Sequence, residues 1–307
     1  MTTTFNDLVN EVSLNLAGFT LQQDRTTYLK TAVTSTTSSS SSPTILSLGS
    51  TESVGKGIIE IDEELMWVDS YDRVANTATV APYGRGYMGS TAATHALDTK
   101  VVISPTFPRM VIKKAINDTI RAMGSQLYGV GSTTFTYTLP QTTYAFNSLN
   151  MRNILNVQWQ TVGPTKQWAY VRHWDWDSKA DTTEWGANAQ TITIGDYITP
   201  GRTVKVTYGK DPEILVNSTD DYATVTGFEN SSKDLVIYGA CWRLLSFLDP
   251  ARASMVSPQA DETDSKRPYG ASQTAVKQLY SLYQQRLQEE VLEQQRHYPI
   301  RVHYARR

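Results

Sequence analysis

Gly57-Ile58-Ile59-Glu60-Ile61-Asp62-Glu63-Glu64-Leu65-Met66-Trp67-Val68 decides the fold of this chain. Ile58–Ile61 and Glu64–Val68 are short runs of β-branched, aromatic and apolar residues with strand character. Asp72–Asn76 supplies a turn, and Thr77-Ala78-Thr79-Val80 returns the chain. Gly84-Arg85-Gly86 and Gly89 punctuate a loop, and Val101-Val102-Ile103 closes the group. Strands this short and closely spaced predict a small barrel or rolled sheet over 44–104.

Upstream, Phe5, Leu8, Val9, Val12 and Leu16 recur at helical spacing, behind Thr4 and Asp7 in capping-box positions, with Gly18 as a stop. They predict an N-terminal helix within 1–30. Thr34–Thr44 is a Ser/Thr tract with little to bury, read as an exposed loop or a flexible linker.

Downstream, Pro108 opens a helix expected over 108–128, with Ile112, Ala115, Ile116, Thr119, Ile120, Met123 and Leu127 on one face. Alternating or β-rich runs between Thr133 and Tyr208 predict an antiparallel, sandwich-like β domain over 132–215. Pro200-Gly201 marks a tight turn between its last two strands. Two helices follow within 231–298. One is the apolar run Leu235–Leu248, with Ser231 as its N-cap. The other starts near Ser272 and carries the stripe Val276, Leu279, Tyr283, Leu287 and Val291. A polar stretch, Ala251–Tyr269, separates them. The expected class is α+β: a bundle of about four helices, assembled from distant parts of the chain, with two antiparallel β insertions.

Bulk properties narrow the function. The formal net charge is -2, which argues against nucleic-acid binding driven by a basic surface. The charged fraction, 19%, is low, with Ser, Thr, Gln, Asn and Tyr in its place, which favours neutral, well-packed contacts. With one cysteine, Cys241, no intrachain disulfide forms. No apolar run reaches membrane-spanning length, and the start Met1-Thr2-Thr3-Thr4-Phe5 lacks the pattern of a signal peptide. A protein made and kept in a cytoplasm-like compartment, or assembled into something made there, is expected.

Motifs for chemistry are sparse. The four histidines, His95, His173, His297 and His303, make no zinc pattern with the cysteine. Gly84–Gly89 lacks the Lys-Ser/Thr ending of a phosphate loop, and a turn needing positive φ at glycine accounts for it better. Asp62, Glu63, Glu64 and Asp69 are hard-ligand types without EF-hand spacing, read as a solvated strand edge rather than a calcium site. Trp174, Trp176 and Trp185 with Asp175, Asp177 and Glu184 admit a carbohydrate-binding or carbohydrate-cleaving protein, although one packed strand face produces the same alternation. No enzyme and no cofactor or metal is expected.

The tail 299–307 is basic, and Ile300, Val302 and Tyr304 alternate as an added strand would. A nucleic-acid contact and a frayed terminus are the other readings of such a tail, and the apolar alternation favours the docking arm, with Tyr298, Ile300, Arg301, Val302, His303, Tyr304, Arg306 and Arg307 as candidate partner-binding residues.

The segments Gly57–Val68 and Tyr83–His95 resemble a β-module common in structural proteins of tailed bacteriophages: an "ID-E-x-hydrophobic" strand, then "RG-x-x-G-(S/T)", then a histidine. Phe107-Pro108-Arg109 and Ala115–Ile120 follow, and later Gly201–Tyr208 and Asp234–Ala240 look like phage neck proteins. The helical parts resemble head-to-tail adaptor (connector) proteins. The resemblance implies a homo-oligomeric ring, usually a dodecamer, in the virion neck between the portal protein and the tail or a second neck protein. It implies that double-stranded DNA passes through the lumen unread, with no membrane involved, and that Tyr298–Arg307 grips the portal. A tail or baseplate component is the neighbouring alternative.

Overall fold

The computed structural model describes residues 2–18, 25–146, 151–163, 167–187, 189–246 and 271–299. Among them lie six α-helices and antiparallel sheets, an α+β protein. The chain divides into two compact units. The described residues of one come from Leu8–Ile116 and Gly239–Lys277, and those of the other from Met1–Asp7, Asn117–Tyr238 and Gln278–Arg307.

Helix α1 (Phe5–Ala17) starts where its capping box predicts. The Thr4 N–H and hydroxyl donate to Asp7 Oδ2 at 3.0 and 2.7 Å, and the Asp7 N–H donates back to Thr4 Oγ1 at 3.2 Å. These bonds satisfy N–H groups that the first helical turn leaves without partners. Phe5, Leu8, Val9, Val12 and Leu16 are buried, as their spacing requires.

The first β unit holds β1 (Arg25–Tyr28), β2 (Ile45–Ser47), β3 (Gly57–Ile61), β4 (Glu64–Asp72), β5 (Thr77–Val80) and β6 (Lys100–Ile103). They form one six-stranded sheet in the order β1-β6-β3-β4-β5-β2. The sheet rolls until its edges touch. The Lys30 N–H donates to Ser47 O at 2.8 Å, the Gly49 N–H donates to Tyr28 O at 2.9 Å, and Leu29 bridges Leu48. Leu29, Leu46, Leu48, Ile59, Ile61, Met66, Val68, Val80 and Val101 fill the interior. Edge contact removes part of the open strand edge that a flat sheet would leave.

The sheet begins at Arg25, not at Thr44, so 1–30 is not all helix. Arg25-Thr26-Thr27-Tyr28 has no apolar alternation to betray a strand, and antiparallel backbone pairing with β6 is what makes it one. The Ser/Thr tract is a surface loop tied to this sheet rather than a free linker. Ser38 Oγ donates to Val80 O and accepts from the Thr44 N–H, both at 3.0 Å.

Helix α2 (Arg109–Met123) buries Ile112, Ala115, Ile116, Thr119, Ile120 and Met123. Glu60 Oε1 accepts from the Arg109 N–H at 2.6 Å, placing a carboxylate at the positive end of the helix. The helix stops at Met123, short of the expected Tyr128. Gly124 follows, and a Cβ there would stand 2.8 Å from the Pro212 ring, so the chain turns at the residue that permits this approach.

The sandwich contains β7 (Gly129–Thr136), β8 (Thr143–Phe146), β9 (Met151–Gln160), β10 (Trp168–Tyr170), β11 (Trp174–Asp177), β12 (Gln190–Ile194) and β13 (Thr203–Lys210). One sheet runs β10-β9-β13-β7 and the other β11-β12-β8. Tyr137, Tyr144, Val157, Ile192, Ile194, Val204 and Val206 form the core that unites them. Gly201, at φ 80°, does turn the chain, but between sheets rather than in a hairpin. β12 pairs with β11 and β8, whereas β13 pairs with β7 and β9.

Helices α3 (Thr182–Trp185) and α4 (Tyr222–Thr226) are single turns. Helix α5 (Lys233–Ser246) buries Leu235, Val236, Ile237, Ala240, Cys241, Leu244 and Leu245. Ser231 does not cap it. A 3-10 turn, Asn230–Ser232, precedes it, and Ser232 Oγ bonds Glu229 O at 2.7 Å and Tyr222 Oη at 2.9 Å. Helix α6 (Ala271–His297) closes the described chain. The stretch Ala251–Tyr269 lies outside the described residues.

Candidate functional site

The segment from Gly57 to His95 converges on one carboxylate. β4 begins at Glu64, whose side chain is fully buried in the rolled-sheet unit. The Asp62-Glu63 turn between β3 and β4 uses Asp62 at φ 54°, a left-handed position that aspartate tolerates. The loop after β5 brings Arg85, whose Nε and Nη2 donate to Glu64 at 2.7 and 2.9 Å. The Gly86 and Ala93 N–H groups donate to it at 3.0 and 2.8 Å. His95 Nε2 lies 3.0 Å from Glu64, and its Nδ1 lies 2.8 Å from Asp62. Gly86 holds φ 59°, in accord with the positive-φ reading, and its N–H, which a phosphate would need, is taken by Glu64.

Electrostatics follow from that packing. Burial pushes the Glu64 carboxyl up, but the hydrogen bonds from Arg85, His95 and the two amides outweigh it and hold the group at about 2. Burial pushes His95 down, yet its bonds to Glu64 and Asp62 prevail and raise it above its ordinary value. An imidazolium donating from both nitrogens to two carboxylates matches the geometry. Every oxygen and ring nitrogen of the Glu64–His95 pair is thus engaged, and the cluster works as an internal strut.

The four acidic residues near β4 do not form one site, although Asp62 and Glu64 share His95. Asp62 bonds His95, Glu63 pairs with Lys113 at 2.6 Å, Asp69 pairs with Lys56 at 3.5 Å, and Glu64 is buried. Among the described residues no group of three or more His, Cys, Asp and Glu side chains is placed to hold a metal. Cys241 is buried, and burial pushes its thiol up to about 12, so it acts as a small apolar side chain.

Trp174 and Trp176 pack against the sandwich core, leaving Asp175 and Asp177 on the exposed side of β11. This is the packed-face reading of the alternation. Two of the three indoles invoked for sugar stacking, those of Trp174 and Trp176, thus pack against the sandwich core.

The candidate partner-binding residues divide. Tyr298 is described and half-buried, just past the end of α6. Ile300, Arg301, Val302, His303, Tyr304, Arg306 and Arg307 lie outside the described residues. The C-terminal half of α6 is held firmly within its own unit. Leu279, Tyr283 and Leu287 are buried at four-residue intervals, while Val276 and Val291 are only partly covered. Gln294 Nε2 donates to Tyr128 O at 2.6 Å, and its Oε1 accepts from the Tyr128 N–H at 3.4 Å. Arg286 donates to Ser231 O at 3.3 Å and pairs with Glu290.

A small cleft of 90 Å³ lies beside this anchor, lined by Phe228, Glu229, Glu290, Glu293, His297 and Tyr298 among others. Burial, with help from Glu293, Glu229 and Glu289, raises the Glu290 carboxyl against the pull of Arg286. Sequence reasoning singled out the helix stripe but missed the Gln294 clamp, because a glutamine on a polar helix face carries no signal of its partner.

No protein-family model matches the chain, and no curated protein matches it. No helix among the described residues is long and apolar enough to cross a membrane.

Proposed function

We propose that the chain is a structural subunit of a bacteriophage neck, a head-to-tail adaptor that joins the portal protein to the tail or a second neck protein. In this reading the long helices α1, α2, α5 and α6 assemble as an adaptor-like bundle, and the rolled sheet and sandwich are its two insertions. Copies form a ring, a dodecamer by the family likeness, around a lumen through which double-stranded DNA passes. A net charge of -2 suits such a wall, since a strongly basic lining would hold the phosphates.

The observation that carries the reading is the use made of the motif on which the likeness rests. Glu64, Arg85, Gly86 and His95 bind one another, and they brace the rolled sheet. A motif used this way serves architecture. The clamp on α6 adds support, because it delivers Tyr298 and the basic tail from a fixed helix end.

Deleting Pro299–Arg307 tests the proposal. The truncated subunit should keep its melting temperature and lose co-sedimentation with the portal. Normal joining to the portal would overturn the gripping role of Ile300, Arg301, Val302, His303, Tyr304, Arg306 and Arg307. Placement in a tail tip by microscopy of labelled particles would favour the tail or baseplate reading instead.

A further inference from the structure

The outer face of the four-stranded sheet carries aromatic, amide and hydroxyl side chains. Strand register sets Tyr170 opposite Gln158, Gln158 beside Lys205, and Lys205 beside Thr134. One row further, Trp168 lies opposite Gln160. Alternation turns Trp159, Val204 and Phe135 to the core side, so these rows face solvent. Trp168 and Tyr170 are 39% and 49% exposed, and Lys205 Nζ stands 5.9 Å from the Trp168 ring centre.

β10 is one of the two edge strands of that sheet. Where it ends, a cleft of 150 Å³ opens, lined by Tyr170, Asn156, Arg172 and Trp174 among others. Tyr170 therefore belongs both to the outer face of the sheet and to the wall of a concavity.

We propose that this face and its cleft bind a neutral, hydroxyl-rich glycan chain. The C–H face of a sugar ring packs on an aromatic ring, and its hydroxyls both donate and accept hydrogen bonds. Trp168 and Tyr170 supply two rings, two residues apart along one strand, roughly 7 Å. Gln158, Gln160 and Asn156 supply amides that donate and accept at once, the chemistry that hydroxyls need.

Charge separates this ligand from a nucleic acid. A single strand of DNA calls for a positive groove along its phosphates in addition to stacking rings. Here the rows carry Lys205 among amides, hydroxyls and aromatics, and the cleft carries Arg172 among Asn156, two aromatics and the aliphatic Leu155, Val157 and Val171. The balance fits an uncharged, hydroxyl-rich chain. This site is independent of the neck assignment and uses none of the tail residues.

The test is calorimetry of the full chain with cellohexaose, chitohexaose and maltohexaose, and with an oligothymidylate. At least one hexasaccharide should bind. Trp168→Ala and Tyr170→Ala should each weaken it about tenfold or more without moving the melting temperature. Gln158→Ala, which leaves both rings in place, should weaken it too, so a folding defect at either aromatic would not decide the matter. Tyr197→Ala, exposed but outside these rows, should change nothing. The proposal is overturned if no hexasaccharide binds, if binding survives all three face variants, or if only the oligothymidylate binds with steep salt dependence.

Discussion

The rolled sheet and the sandwich handle polar residues in opposite ways. In the rolled sheet, Glu64, Arg85 and His95 are taken inside and bonded to one another. In the sandwich the core is aliphatic and aromatic, and Gln158, Lys205 and Thr134 stay on an outer face. The difference teaches where specificity resides. A buried ion cluster forms only when three separated segments arrive in register, because each charge left alone indoors is costly. A sandwich core accepts many apolar combinations, which leaves the outer faces free for other uses.

The largest effect should come from breaking the buried cluster. Glu64→Ala leaves Arg85 and His95 without their shared counter-charge and should destabilise the rolled-sheet unit by about 3–5 kcal/mol. Lys205→Ala on the sandwich face should stay within about 0.5 kcal/mol. Urea denaturation of both variants makes the comparison. Equal, small losses would mean that the cluster is not what holds the rolled sheet.

The pH response should also separate the units. Glu64 is held at about 2, below its ordinary 4.5, so its contribution is present above 4.5 and disappears as pH falls toward 2. His95 is raised above 6.5, so its contribution is present below 6.5 and is lost as pH climbs through its folded value. Wild-type stability should therefore decline on both sides of the weakly acidic range. Glu64→Gln should remove the acid limb of this cluster and lower the His95 limb. An unchanged pH profile in that variant would refute the linkage.

A smaller effect than that of the cluster concerns the helix end. Gln294→Ala removes two hydrogen bonds to Tyr128 and should cost about 1 kcal/mol, with faster amide exchange over the last turns of α6. Unaltered exchange there would show that Leu287 and Tyr283 hold the helix without the clamp.

Much of the fold was legible because it is local. The stripe of α1, its Thr4–Asp7 cap and the buried face of α2 depend on residues three and four apart, and they stand where their spacing put them. The strands of the first unit from Ile58 to Ile103 were legible for the same reason. β1 was not, since Arg25-Thr26-Thr27-Tyr28 becomes a strand only by pairing with β6. Ser231 was read as a cap on spacing alone, and the 3-10 turn bonded to Tyr222 displaced it.

The candidate sites followed the same division. The motif from Gly57 to His95 could be seen as a pattern, but not that its Glu, Arg and His meet at one buried point. Trp174 and Trp176 looked available for a ligand, and strand parity put them on the core side, while Trp168 and Tyr170 took the outer face. By itself the sequence determined the class of the protein, most of its helices and strands, and the low charge of its surface. These depend on near neighbours along the chain and on composition. Only the tertiary structure decided which edges of the rolled sheet meet, which carboxylate is buried, which aromatics reach solvent and what clamps α6. Each of those is a contact between residues far apart in sequence, and it comes into being only when packing closes the distance.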